Sequence, residues 1–205
     1  MSSHPFVDVR MTEGLSDNIA RLVDAGELEA AIVTQPLGSL GLDTSRFFTD
    51  RLVLVTGPPT TTQHSKSLAT SAKRRKVPIR LAPAEKLKLV LASRRQSSRR
   101  VIESKIRLNA LTSDRILEID GLEARLELVR TSKWATIVPA FAIANDIRAG
   151  RLRASRIPGV DVFLEYFMVQ RKGVPMRVEC QHFLELLNKT LERGSPKVRS
   201  EPAVA

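Results

Sequence analysis

The sequence predicts an α/β fold with mainly parallel sheets. Apolar segments of strand length alternate with amphipathic segments of helix length along most of the 205 residues. The first 34 residues alone follow the order strand, helix, strand, which predicts two parallel strands joined by a helix. No apolar run approaches the roughly 20 residues that a transmembrane helix needs, so a membrane protein is not expected.

The N-terminal segments carry the first local signals. "FVDVRM" (6–11) alternates polar and apolar side chains and predicts a short strand. In the helical pattern that follows, Ser16 is a candidate N-cap and Gly26 occupies the position of a C′ residue. Two more strands are predicted by "LEAAIVT" (28–34), which ends at Thr34, and by "DRLVLVTG" (50–57).

The central segments continue the alternation. Residues 58–78 are polar and bounded by prolines, so they are expected to form a loop or crossing segment. Asp120 followed by Glu123 resembles a capping box at the start of a helix. The other predicted elements here are a strand over 87–93, a helix over 97–108 and a strand over 115–120.

The C-terminal segments give the longest strand pattern in the chain. The predicted elements are a strand over 134–139, a helix closed by Gly150, a strand over 160–170, a helix that Gly194 ends, and a disordered tail over 195–205. Trp134, the one tryptophan, opens a buried strand that Pro139 stops. The turn before it contains Thr131, Ser132 and Lys133 and is expected either to avoid positive φ or to accept some strain. We interpret Trp134 as a packing residue, with ligand stacking as the alternative.

The composition indicates a soluble cytoplasmic protein. One cysteine, Cys180, cannot form an internal disulfide, and the N-terminus lacks the basic and apolar regions of a signal peptide. The net charge of +11 is concentrated in arginine-rich clusters, but aromatic residues make up only 4% of the chain. Proteins that bind single-stranded nucleic acid stack bases on aromatic side chains. We therefore expect no direct DNA contact from this chain.

The sequence contains no convincing catalytic constellation. The histidines, His4, His64 and His182, are dispersed without metal-ligand spacing. Cys180 lies on the apolar stripe of the last helix with no predicted activating histidine, so we interpret it as packing. A non-enzymatic protein without metal or cofactor is expected.

Four stretches in the same order carry a resemblance to a known family. They are "HPFVDVRMTEGLSDNIARLVDAGELEAAIVTQP", "DRLVLVTGPP", "LEIDGLEARLELVRTSKWATIVPAFAIANDIRAGRL" and "VFLEYFMVQRKGVPMRVECQHFLELL". Together they resemble the effector-binding domain of LysR-type transcriptional regulators over about residues 4–192.

The resemblance implies a two-lobed fold of the periplasmic-binding-protein type 2 kind, with Rossmann-like lobes. The first lobe would comprise residues 1–57 and 159–194, and the second lobe residues 58–158, with chain crossings near 56–59 and 157–159. A small effector, often an organic acid, would bind between the lobes. Closure around it would then change how the regulator's oligomer holds DNA.

The chain departs from the family pattern at its start. It lacks the helix-turn-helix, the linker helix, and the first strand and first helix of the effector domain, so an incomplete first lobe and a truncated regulator are expected. The expected partners are an effector and either a second copy or a full-length LysR-type regulator. Two alternatives stay open: a free-standing partner that modulates a full-length homologue, and an enzyme on the same two-lobed fold.

The candidate ligand-binding residues follow predicted strands, because ligands in α/β folds bind beyond the carboxyl ends of strands. An anion is the expected ligand, since amides at a helix start and serine hydroxyls donate to anions and an arginine can bind a carboxylate. Each candidate could instead serve only as a strand end or solvated loop. The candidates are Thr34, Gln35, Thr56, Ser93, Arg94, Ser97 and Pro139.

Overall fold

A computed structural model describes residues 7–34, 41–58, 87–111, 115–157 and 159–194. Over these residues the α/β class is confirmed. The helices are α1 (Ser16–Asp24), α2 (Ser97–Lys105), α3 (Leu108–Leu111), α4 (Leu122–Thr131), α5 (Ala144–Arg148) and α6 (Val178–Gly194). The strands are β1 (Ala30–Val33), β2 (Leu42–Thr56), β3 (Lys88–Leu91), β4 (Leu117–Glu118), β5 (Trp134–Pro139), β6 (Arg153–Ser155) and β7 (Phe163–Arg171). A short 3₁₀ helix, Ala140–Ile143, joins β5 to α5.

The long strand β2 belongs to two groups of strands. Residues 42–51 pair with β7, which also pairs with β1, and we call these three the first strand group. Residues 52–56 pair with β5 and, in part, with β6. Together with β3 and β4 these form the second strand group. The change of partner falls between Arg51 and Leu52, earlier than the expected crossing at 56–59. The predicted lobe boundaries stay a prediction.

The pairing of the strands is more mixed than the sequence predicts. Only the pairs β3–β4 and β3–β5 are parallel, whereas β7 and β5 both run antiparallel to β2. The long strands β2 and β7 run in opposite directions and pair with each other over residues 42–51 of β2.

The strand predicted over 6–11 is wrong within the described part of the chain. Residues 7–11 have no regular secondary structure, and Met11 is 78% exposed. Alternation of side chains needs a neighbouring strand to become a ladder, and none of the described strands pairs with this segment. The expected parallel pair in the first 34 residues is therefore absent, and β1 pairs with β7 in antiparallel fashion instead.

The helix α1 covers one face of the first strand group. Its Ile19 and Val23 pack with Val33 and Val169 in a small apolar core. Gly26, with φ of 78°, ends the helix as predicted: its N–H donates to Val23 O, and the N–H of Glu27 donates to Leu22 O. These two bonds form a Schellman motif.

The central strands of the second strand group are buried on both faces. Along β2, Leu52 and Leu54 belong to one apolar cluster, whereas Val53 and Val55 belong to another on the opposite face. This is the period of two that a strand imposes. The second cluster contains Val129 of α4, so the helix covers that face.

The turn before Trp134 avoids positive φ at Ser132, where φ is −144°. Hydroxyl groups satisfy its backbone: Thr131 Oγ1 donates to Glu127 O at 2.8 Å, and the Trp134 N–H donates to Ser132 Oγ at 3.2 Å. Trp134 is half-buried against the second apolar cluster. Serine and threonine therefore replace glycine here by providing local hydrogen bonds.

The helix α6 extends to Gly194, the last described residue, so the prediction that Gly194 ends it stays a prediction. Cys180, a free thiol, is only half-buried on this helix, and burial raises its pKa. No helix in the described ranges is long and apolar enough to cross a bilayer. The predicted polar segment over 58–78, apart from Pro58, and the predicted tail over 195–205 lie outside the described residues.

Candidate functional site

Three hydroxyl side chains from separate elements meet where the two strand groups face each other. Thr34 follows β1, Ser97 begins α2, and Ser16 begins α1. Thr34 Oγ1 lies 3.3 Å from Ser16 Oγ and forms a hydrogen bond with Ser97 Oγ. The Thr34 N–H also donates to Ser16 Oγ at 3.3 Å. We call Ser16, Thr34 and Ser97 the hydroxyl cluster.

Two helix N-termini contribute to this cluster. Both α1 and α2 have nine residues, and neither has a side-chain hydrogen bond from its N-cap, which is Leu15 in α1 and Gln96 in α2. The first amides of a helix lack partners inside the helix and carry partial positive charge. The cluster thus combines hydroxyl donors with a favourable electrostatic environment for an anion.

Ser16 was expected to cap α1, and that prediction is wrong. The helix begins at Ser16 itself, and its hydroxyl contacts Thr34 instead of a helical amide. The sequence alone allows two roles for Ser16, because a serine at a helix start can cap the helix or face a ligand site. The contact of its hydroxyl with Thr34 excludes the first role.

Ser93 lies in the same loop as Ser97 but points elsewhere. Its N–H and its hydroxyl donate to the two carboxylate oxygens of Asp120, at 2.9 and 3.1 Å. These bonds hold the pKa of Asp120 below its usual value. They also explain why the predicted capping box is wrong: Gly121 is the N-cap of α4, without a side-chain cap bond. Ser93 therefore fixes the loop to the end of β4.

Arg94 lies in the loop before α2, is exposed, and is paired with a carboxylate on that helix. Its Nε donates to Glu103 at 3.2 Å, and its side chain is 76% exposed. The same carboxylate accepts from Arg99, whose side chain is only 4% exposed. Burial opposes ionisation of Glu103, but the bonds from Arg99 and Arg94 outweigh it and lower the pKa of this carboxyl.

Sequence reasoning did not single out Arg99, although the i, i+4 spacing to Glu103 was visible. The buried guanidinium donates to Ala92 O at 2.9 Å and lies 3.5 Å from Glu118. It therefore connects the end of β3, the helix α2 and the strand β4. By holding this loop, Arg99 positions Ser97.

Thr56 and Pro139 lie at opposite ends of one strand pair. Pro139 is opposite Leu52, whereas Thr56 is opposite Ala135. Four residues of antiparallel strand separate the two positions by about 13 Å. Because β3 runs parallel to β5, Pro139 lies at the same end of the strands as the Ser93–Ser97 loop, which follows β3. Thr56 lies at the opposite end of the strands and does not join the cluster. Gln35 lies outside the described residues.

A buried carboxylate marks the place where β2 passes between the strand groups. Asp50 is 5% exposed and accepts the N–H of Phe141 at 2.8 Å. The rings of Phe48, Phe141 and Tyr166 pack against one another in the same region, with centroids 5.7 to 6.1 Å apart. Burial, aided by the charge of Asp50, raises the pKa of the Tyr166 hydroxyl. This cluster joins the first strand group to the end of β5.

An open groove lies apart from the hydroxyl cluster. It has a volume of about 490 Å³ between α6 and the first strand group. Its lining includes Phe47, Met168, Met176 and Leu184 and no member of the hydroxyl cluster. Within the described residues no three His, Cys, Asp or Glu side chains are grouped so that they could hold a metal ion.

Comparison with known proteins identifies the same architecture. Residues 1–192 match the family model of the LysR substrate binding domain. The chain is 23% identical over 187 residues to the HTH-type transcriptional regulator CzcR of Bacillus anthracis, covering 91% of this chain and 59% of that protein. It therefore spans about three-fifths of that relative's length.

Two solved structures illustrate the similarity of fold. The regulatory domain of CcmR from Synechocystis PCC6803 in complex with 2-PG is 15% identical with a TM-score of 0.65, and the match covers 93% of this chain and 86% of that one. A sulfate-bound mutant regulatory domain of OxyR2 from Vibrio vulnificus is 16% identical with a TM-score of 0.59, covering 86% and 78%. At these identities the likeness concerns the fold.

Proposed function

The chain belongs to the LysR substrate-binding domain family, the effector-binding part of LysR-type transcriptional regulators, and we propose that it senses a small anion at the hydroxyl cluster. The carrying observation is the contact between Thr34 and Ser97, which joins the two strand groups at two helix N-termini. In the cell this sensing would take place in the cytoplasm and control transcription as part of a larger assembly with other chains.

The chemistry of the cluster supports an anionic effector. Hydroxyl groups and the amides at a helix start both donate hydrogen bonds, and bonds to a charged acceptor are about twice as strong as neutral ones. The mutant OxyR2 domain was solved with sulfate and the CcmR domain with 2-PG. We propose that the present chain binds a carboxylate or phosphate group of similar size.

The arrangement also supports a way to transmit binding. A ligand that accepts hydrogen bonds from Ser97 and from Ser16 contacts both strand groups at once. Such a ligand stabilises the closed state, in which the two strand groups are close. The ratio of closed to open molecules then rises by the ratio of the ligand's affinities for the two states. We propose that this closure is the signal, and that the role is sensing and not catalysis.

Substitution of one hydroxyl tests this proposal. Ser97→Ala removes a donor from the cluster, and the loss of one hydrogen bond to a charged ligand costs about 1.5 to 3 kcal/mol, a tenfold to hundredfold weaker affinity. Isothermal titration calorimetry with 2-PG and with sulfate measures this loss.

The matched control is Ser104→Ala, because Ser104 lies on the same helix and donates to Val101 O at 2.9 Å, away from the cluster. We expect its affinity for either anion to equal that of the wild type. Equal affinities for Ser97→Ala and Ser104→Ala would place the ligand elsewhere and refute the proposal.

A further inference from the structure

Aromatic side chains adjoin the hydroxyl cluster on the first strand group. Val33 and Phe167 form the last pair between β1 and β7, and the residues beyond them are Thr34 and Tyr166. Tyr166 in turn is opposite Phe48 of β2. Neighbouring strands lie about 5 Å apart. Tyr166 is therefore one strand away from the hydroxyl cluster, and Phe48 is two strands away.

The second strand group brings a hydroxyl and a ring to the same place. Ser97 follows β3 and Phe141 follows β5, and these two strands are parallel neighbours whose carboxyl ends emerge side by side. The Phe141 ring packs against Phe48 and Tyr166, with centroids 6.0 and 5.7 Å away. We call Phe48, Phe141 and Tyr166 the aromatic cluster. Hydroxyl groups and aromatic rings thus adjoin in both strand groups.

The aromatic cluster is held in place and retains surface for contact with a ligand. Each of its three residues is only half-buried. Phe141 meets its two neighbours edge to face, at interplanar angles of 75° and 70°. Its N–H donates to the buried carboxylate of Asp50 at 2.8 Å, which fixes the backbone that carries the ring. Rings arranged in this way offer edges and faces to a further ring, because aromatic pairs prefer edge-to-face and offset contacts.

From this geometry we propose that the effector is an aromatic carboxylate, whose carboxylate binds at the hydroxyl cluster while its ring packs against the aromatic cluster. The assignment rests on the proposed function and narrows the effector from any small anion to one that carries an aromatic ring. Ligand sites combine apolar and aromatic lining with a few placed polar groups, and the two adjoining clusters provide both. One ring attached to a carboxylate suits their separation of one to two strands, about 5 to 10 Å.

Three carboxylates that differ in the attached group test the assignment on the wild-type chain: benzoate, cyclohexanecarboxylate and acetate. NMR titration measures their dissociation constants up to the millimolar range. We expect benzoate to bind at least about tenfold more tightly than acetate, because the site removes the ring from water. Benzoate should also bind about threefold more tightly than cyclohexanecarboxylate, since only an aromatic ring makes favourable edge-to-face contacts.

The variant Phe48→Leu removes one ring from the aromatic cluster and keeps an apolar side chain. We expect benzoate to bind about fivefold more weakly to it and acetate to bind as to the wild type. Phe163→Leu is the matched control, because Phe163 also lies on the first strand group but is 47% exposed and packs against Arg51, whose guanidinium carbon is 4.8 Å from the ring centroid. It should bind both carboxylates like the wild type.

The possible results separate the aromatic assignment from the proposed function. If benzoate binds no more tightly than acetate or cyclohexanecarboxylate, the assignment is overturned while the sensing of an anion stands. Equal affinities of Phe48→Leu and Phe163→Leu for benzoate would place the ring elsewhere and also overturn it. If none of the three carboxylates binds, and neither sulfate nor 2-PG does, the proposed function fails as well. The ligand series needs only the wild-type chain, so it decides the question even where Phe48→Leu does not fold.

Discussion

Asp146, on α5, is a buried carboxylate held by two arginines. Its carboxylate, 7% exposed, accepts two bonds from Arg130 at 2.9 and 3.0 Å and one from Arg151 at 2.7 Å. The bonds from Arg130 outweigh burial, and with those from Arg151 they hold the pKa of Asp146 below its usual value. This single side chain connects α4 to α5.

Asp146→Asn is therefore expected to lower the free energy of unfolding by about 2 kcal/mol at pH 7, because Arg130 and Arg151 lose their buried partner and Arg130 keeps only the exposed Glu123 and Glu127. The folded-state pKa is lowered, so the stabilisation is complete above the unfolded value of 3.8 and is lost as the pH falls through the folded pKa. Urea denaturation at a series of pH values from 7 to 3 measures this. The difference in free energy of unfolding between wild type and variant should become smaller toward pH 3.

The control for this substitution is Asp43→Asn, an exposed aspartate on β2. Its effect should stay within about 0.5 kcal/mol at every pH, as for most surface changes. A gap between wild type and Asp146→Asn that is constant with pH would show that the contribution is not electrostatic.

Single residues also show which members of the hydroxyl cluster the sequence could point to. Thr34 and Ser97 could be named as candidates because each follows or starts a recognisable element; that they contact a ligand stays a prediction. Ser16 was assigned to capping, since the local pattern of a serine at a helix start does not show which tertiary partner the hydroxyl meets. Arg99 was hidden among neighbouring arginines, because its spacing to Glu103 does not show that its side chain, unlike that of Arg94, is buried.

At the scale of elements, the end of β2 approaches the end of α4 closely. A Cβ atom at Gly57 would lie 2.6 Å from the backbone oxygen of Val129 and 3.3 Å from that of Ser132. Backbone atoms cannot move aside as a flexible side chain does, so this contact requires glycine. It aligns the strand with the turn that leads to Trp134.

Gly57→Ala is expected to destabilise the protein by about 2 kcal/mol, because insertion of a methyl group into a tight contact forces backbone shifts. Thermal and urea unfolding followed by the fluorescence of Trp134 measure this loss. Gly121→Ala is the comparison: its nearest contact would be the Ala124 Cβ at 3.7 Å, an ordinary distance. Equal stability of both variants would contradict the close approach.

Elements with strong local signals were predicted well, and the others were not. The span of β5 and the glycine that ends α1 follow from apolar periodicity and from the conformational freedom of glycine. The strand expected over 6–11 failed because alternation alone does not provide a hydrogen-bonded neighbour. The N-terminal half of β2 and the strand β6 were missed, since exposed polar residues and a three-residue length gave no pattern to recognise.

At the scale of the molecule, two strand groups share one strand and meet again at the hydroxyl cluster. The group change within β2 is bordered by Asp50 and its aromatic neighbours, which tie Phe141 to the first strand group. A few residues at such a crossing can absorb a rotation between two packed bodies. The contact of Thr34 with Ser97 then reports directly on their separation.

The central claim is that an anion binds between the two strand groups at the starts of α1 and α2. Heteronuclear NMR of the wild-type chain during titration with 2-PG, and separately with sulfate, tests it most directly. We expect the largest shifts at amides of the first turns of both helices, around Ser16 and Ser97, and at Thr34. Shifts confined to the groove under α6, or no shifts at millimolar anion, would contradict the account.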